Sequence, residues 1–139
     1  MSAAQEVKQA SLQESSFVGA GGLKIFTRTW RLASARPRAV VVIVHGFNSH
    51  SGQYLWVADQ FVDHDLAVYA LDLRGRGKSE GERFYVEKMD DYIVDIDTLV
   101  NTAKTENPGL PVFLLGHSAG GVISCTYTLE HQAKLAGLI

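Results

Sequence analysis

The 139-residue chain has a formal net charge of −2, with 46% hydrophobic and 20% charged residues; that describes a packed core and gives no electrostatic reason to expect nucleic acid or an anionic membrane as partner. Its one cysteine, Cys125, excludes an intrachain disulfide framework and suits a reducing compartment. The start, MSAAQEVKQASLQESS, lacks the apolar core of a signal peptide, and the longest strongly apolar run, AVVVIV at 39–44, is too short to span a bilayer, so a cytoplasmic protein of one domain is expected.

In chain order, residues 1–15 are polar and read as a loosely held tail, with the domain proper at 16–139. FVGAGGLKIFTRTWRL at 17–32 reads as two strands about the turn glycines Gly19, Gly21 and Gly22. The β-branched run AVVVIV is the pattern of a strand covered on both faces. Tyr54, Val57, Ala58, Phe61 and Val62 recur at helical spacing and predict a helix burying one stripe. LAVYALDL at 66–73 is a second buried strand, followed by a polar, glycine-rich loop, RGRGKSEGER at 74–83. Met89, Tyr92, Ile93, Ile96, Val100 and Ala103 mark a second helical face, with Asp90 and Asp91 at its positive end and NPG at 107–109 as its stop. PVFLLG at 111–116 is a third buried strand, 119–133 a third helix, and LAGLI at 135–139 the opening of another strand. This alternation implies right-handed crossovers and a mostly parallel sheet with helices on both faces.

The segment with the clearest chemistry is Gly116-His117-Ser118-Ala119-Gly120, which matches G-x-S-x-G between an apolar strand and a helix. A turn that sharp puts the serine in a strained backbone conformation, and side chains two positions to either side would collide. The hydroxyl is lifted clear of the sheet near a helix N-terminus, where free N–H groups favour a developing oxyanion. Ser118 is therefore the candidate nucleophile. A second loop, His45-Gly46-Phe47, follows the first buried strand. In an acyl-transfer site of this design, the N–H after the nucleophile, Ala119, and an N–H from that loop, Phe47, hold the oxyanion.

Three blocks carry a family resemblance: HGFNSHSGQY, LDLRGRGKSEGER and LLGHSAGG. With them, residues 17–139 resemble the N-terminal half of an α/β-hydrolase, and within that superfamily the monoacylglycerol lipase and lysophospholipase family. The resemblance implies a serine hydrolase of carboxylic esters, with a lipid-like monoester substrate and no cofactor or metal. Arg76 stands where many members carry histidine, and Ala119 where methionine is common.

Other features carry blander expectations. RGRGKSEG is not a phosphate loop, because Asp72 stands where the first glycine would be needed. His45 is expected as a structural hydrogen-bonder that supports the loop with Gly46, as Gly116 and Gly120 support the elbow. His117 is expected to point away from Ser118, and His64 and His131 to face solvent. The histidines show no metal spacing. Cys125 is expected as a small core residue, and Trp30 and Trp56 as packing residues.

A serine nucleophile needs a base and an orienting carboxylate, which follow it along the chain in this fold. After Ser118 only Glu130 and His131 remain, and adjacent helix positions diverge by about 100°. The expectation is an incomplete hydrolase domain, inactive alone. The resemblance implies that its cap and C-terminal catalytic half would lie elsewhere, supplied in one version by a second chain. The rival from another class is a non-catalytic binding module of the same fold. Dehalogenases and epoxide hydrolases place aspartate at the elbow, so Ser118 argues against them.

Overall fold

The computed structural model describes residues 10–139. Three apolar runs form the centre of one six-stranded sheet: β3 (Ala39–Val44), β4 (Leu66–Leu71) and β5 (Val112–Gly116). These three are parallel, with β3 in the middle, and β6 (Gly137–Leu138) extends the sheet beyond β5. β1 (Ala10–Val18) and β2 (Lys24–Leu32) form an antiparallel hairpin on the other side, giving the order β1-β2-β4-β3-β5-β6.

Every residue of β3 is buried, because both faces of the sheet are covered there. Its side chains alternate between two cores, as strand geometry requires. Val40, Val42 and Val44 meet α2 (Met89–Glu106) and α3 (Ala119–His131) through Ile96, Val100, Ile123 and Tyr127. Val41 and Ile43 meet Trp30 and α1 (Leu55–Asp63) through Ala58 and Val62. The helical stripes read from the sequence are thus the buried faces of α1 and α2. One residue of the α2 face is not apolar: Asp95 is fully buried.

Four expectations are corrected. The polar stretch from Ala10 is not tail but β1, paired with β2 from Ala10↔Leu32 to Val18↔Lys24. Its side chains are almost all exposed, so it is held by main-chain bonds and shows no hydrophobic alternation. The first nine residues of the expected tail lie outside the described residues. Cys125 is exposed rather than in the core, because the buried stripe of α3 runs through Ile123, Ser124 and Tyr127. Trp30 packs as expected, but Trp56, at the start of α1, is 72% exposed. His131 is half-buried, stacked on Tyr127 with ring centroids 4.6 Å apart.

Candidate active site

The carboxyl ends of β3 and β5 lie side by side, with Val44 opposite Gly116. Two loops leave the sheet there and touch. The His117 N–H donates to the Val44 carbonyl at 3.1 Å, and the chain then turns at Ser118, with φ 56° and ψ −122°. A non-glycine residue with such a φ is strained, and the surroundings must hold it there. They do so through the first turn of α3. Gly120 N–H donates to the His117 carbonyl at 2.9 Å, and Gly121 and Val122 N–H both donate to the Ser118 carbonyl, at 2.8 and 3.2 Å.

The flanking glycines are required by close approach. A Cβ on Gly116 would stand 2.5 Å from the Gly120 carbonyl oxygen and from Ser124 Oγ. One on Gly120 would collide with the carbonyls of Val44 and His45. α3 is thereby pressed against the end of β3, and the two loops become one structure. The Ser118 side chain makes no capping bond to its helix and is exposed. Ala119 is the first residue of α3, so its N–H has no intrahelical acceptor.

The second loop is tied down by His45, which is 1% exposed. Its Nε2 accepts the Leu73 N–H at 2.9 Å, so the proton resides on Nδ1, which donates to the Gly46 carbonyl at 2.7 Å. Burial holds this imidazole below its ordinary value of 6.5; the Gly46 bond and Asp72 oppose the shift, and Arg76 adds to it. The Gly46 carbonyl and the Phe47 N–H belong to one trans peptide plane and point in opposite directions. Fixing the carbonyl on His45 therefore turns the Phe47 N–H to the other side.

Between the loops lies an open depression of about 450 Å³, lined by Gly46, Phe47, Asn48, Ser49, Gln53, Tyr54, His117 and Ser118. Phe47 is 53% exposed. Burial pushes the Tyr54 phenol above its ordinary range, against an opposing backbone bond at Gly46. His117 also lines the depression, its Nδ1 3.3 Å from where a Cβ on Gly46 would stand.

The loop after β4 supplies what the sequence reading missed. Asp72 is fully buried and accepts from Ser51 N–H at 2.7 Å, Ser51 Oγ at 2.6 Å and Lys78 N–H at 2.8 Å, with Arg28 at 3.8 Å. Arg74 forks onto Asp95 at 2.8 and 3.0 Å. The only sequence signal for this pair was an acidic residue inside the apolar stripe of α2. Among the described residues, no cluster of three or more His, Cys, Asp or Glu could hold a metal ion. No helix there is long and apolar enough to cross a membrane.

The strand-elbow-helix geometry agrees with a family model. Residues 35–139 match the family described as serine aminopeptidase S33 (Hydrolase_4). The chain belongs to this α/β-hydrolase family. This chain is 39% identical over 126 residues to a monoacylglycerol lipase of Mycolicibacterium smegmatis, covering 91% of this chain and 45% of the relative. It is 38% identical over 122 residues to the monoglyceride lipase of Homo sapiens, covering 88% and 40%. Among solved structures it resembles a thermostable carboxyl esterase from Bacillus coagulans in complex with glycerol, with TM-score 0.84 and 30% identity. That match covers 92% of this chain and 43% of the esterase. The chain thus spans less than half the length of these relatives.

Proposed function

We propose that this chain carries the nucleophile and oxyanion donors of a serine hydrolase of carboxylic esters, with lipid-like monoesters such as monoacylglycerols as substrates. The observation that carries the reading is Ser118: a strained residue with an exposed hydroxyl at a helix N-terminus, facing a depression that shares Phe47. The names of the relatives support the ester class, and the half-exposed ring of Phe47 suits an acyl chain.

In this mechanism Ser118 Oγ attacks the ester carbonyl while a base takes its proton. The N–H groups of Ala119 and Phe47 receive the oxyanion, and the peptide plane fixed by His45 pre-orients the second of them. The alcohol leaves with the proton, and water then releases the acid from the acyl-enzyme. Among the described residues, no histidine–carboxylate pair is hydrogen-bonded to Ser118 Oγ, so this reading takes neither partner from them. Among those residues, His45 is committed to Leu73 and Gly46, His64 bonds the Gln60 carbonyl, His50 accepts the Gly52 N–H, and His117, which shares the depression, has no carboxylate within ion-pair distance. His131 faces Asp97 at 3.7 Å, but at the far end of α3, about 18 Å from the elbow. The exposed thiol of Cys125 suits a reducing, cytoplasmic setting.

Fluorophosphonate labelling of the intact protein tests the reading. Wild type is expected to label, and Ser118→Ala to lose labelling together with ester hydrolysis, by roughly 10⁴-fold or more. Labelling retained in Ser118→Ala overturns the assignment. A wild type that neither labels nor hydrolyses esters favours a binding module of the same fold.

A further inference from the structure

Arg76 is 5% exposed, and among the described residues its guanidinium faces no carboxylate within ion-pair distance. A buried cation without an acid partner is costly unless carbonyls, hydroxyls and aromatic faces replace water around it. Here they do, and two of the five contacts fall on one residue, Phe47. Nε donates to the Phe47 carbonyl at 3.1 Å, and the guanidinium carbon lies 4.8 Å from the centre of the Phe47 ring. Nη1 donates to the Arg74 carbonyl at 3.1 Å and to Tyr92 Oη at 3.0 Å, which fixes the other side of the fork.

Phe84 closes the stack. Its ring lies 5.4 Å from the guanidinium carbon and 5.4 Å from the Phe47 ring. It does so with φ 61°, a conformation that bulky residues seldom adopt. Phe47 is thus held in two ways at once. His45 fixes the peptide plane before its Cα through the Gly46 carbonyl. Arg76 fixes the plane after its Cα through the Phe47 carbonyl, and fixes the ring as well. With both planes set, the backbone dihedrals of Phe47 have little freedom, and so does the direction of its N–H.

We propose that Arg76 is a positioning residue of the active site: by clamping the carbonyl and ring of Phe47, it aims the Phe47 N–H at the oxyanion. The inference rests on Ser118 as nucleophile and Phe47 as donor. A lysine would keep the charge, but its ammonium cannot stack on the ring as a flat guanidinium does while bonding the carbonyl in plane. Arginine at this place is therefore tied to the aromatic pair Phe47 and Phe84, and its effect belongs to the transition state rather than to substrate capture.

The test is the kinetics of Arg76→Met and Arg76→Lys in the intact enzyme, with a short-chain ester as substrate and a trifluoromethyl ketone as oxyanion-forming inhibitor. Arg76→Met is expected to lower kcat by about 10- to 100-fold with KM changed by less than about 2-fold, as misplacement of one donor predicts. Affinity for the ketone should fall by the same factor as kcat. Arg76→Lys should recover part, though not all, of both losses. A kcat near wild type in Arg76→Met, or unchanged ketone affinity in a folded variant with low kcat, overturns the proposal. If Arg76→Met does not fold, Arg76→Lys decides alone: wild-type kcat and ketone affinity overturn the proposal, and a parallel loss of both supports it. Ser118→Ala separates this from failure of the underlying reading, because turnover retained in that variant condemns the nucleophile assignment whatever Arg76 does.

Discussion

The elbow at residues 116–120 and the loop at residues 72–83 follow β5 and β4, the two strands that flank β3, and they close the same end of the sheet. Both use backbone turns and glycines, but only one adds buried charge. The elbow is built from backbone: glycines pressed against carbonyls, a strained serine and N–H groups of the first helical turn. The neighbouring loop adds buried side-chain charge: Asp72 accepts from the main-chain N–H groups of Ser51 and Lys78, and Arg74 forks onto Asp95. The difference follows from what each must do. On the proposed reading, the Ser118 hydroxyl needs a fixed direction and open space, which side-chain partners would obstruct. A supporting loop needs only to stay in place, and buried, fully bonded charges do that in a low dielectric. Arg76 is the link, a side chain from the charged loop that reaches the backbone loop opposite the elbow.

Gly120→Val strikes the backbone-built side and should have the largest effect. Its new Cβ meets the main-chain carbonyls of Val44 and His45, which cannot rotate away. We expect a loss of about 4 kcal/mol or more, beyond the usual cost of overpacking, together with loss of labelling at Ser118. A thermal midpoint equal to wild type would show that α3 is not pressed on β3 as described.

Asp95→Ala strikes the charged side. It leaves Arg74 buried without its acid, for about 3–4 kcal/mol by urea unfolding. Asp91, 3.9 Å from Arg74 Nη1, compensates little at that distance. If the loop is support and not machinery, the folded fraction of Asp95→Ala should keep KM and most of kcat; a kcat loss as large as that of the elbow variant would erase the contrast.

His45 joins the two regions, and its contribution is legible in pH. Its folded pKa lies below the unfolded value, so below about 6.5 the unfolded chain binds the extra proton. The stability held by neutral His45 is complete above that pH and declines as pH falls through and below it, by no more than about 1.4 kcal/mol per pH unit. Urea midpoints at about pH 7.5 and 5.5 measure it, and His45→Gln should remove this part of the slope.

The smallest effect is expected on the exposed face of α3. Cys125→Ser should change stability by less than about 0.5 kcal/mol, because the thiol is exposed on α3. Its thiol should react with a maleimide in the native protein; reaction only in denaturant would return Cys125 to the core.

Patterns with a short period carried most of the reading from sequence. β3, β4 and β5 are legible because buried parallel strands are continuous apolar runs, and α1 and α2 because one face repeats at helical spacing. The elbow is legible for a related reason: the collisions that demand Gly116 arise within eight residues of chain, although those that demand Gly120 come from Val44 and His45 at the end of the strand next door. What the sequence by itself determined, then, is wherever local geometry and burial act on neighbouring residues. Only the tertiary structure decided the rest. β1 is polar and exists through the pairing of its main chain with β2, so its side chains carry no signal. The exposure of Cys125 and Trp56 depends on which stripe of α3 and α1 meets the sheet. Asp72 with Ser51, Arg74 with Asp95, and Arg76 with Phe47 join residues some twenty or thirty positions apart. Each of these charges is tolerable only because the fold delivers its partner, and no single stretch of sequence contains both halves of the bond.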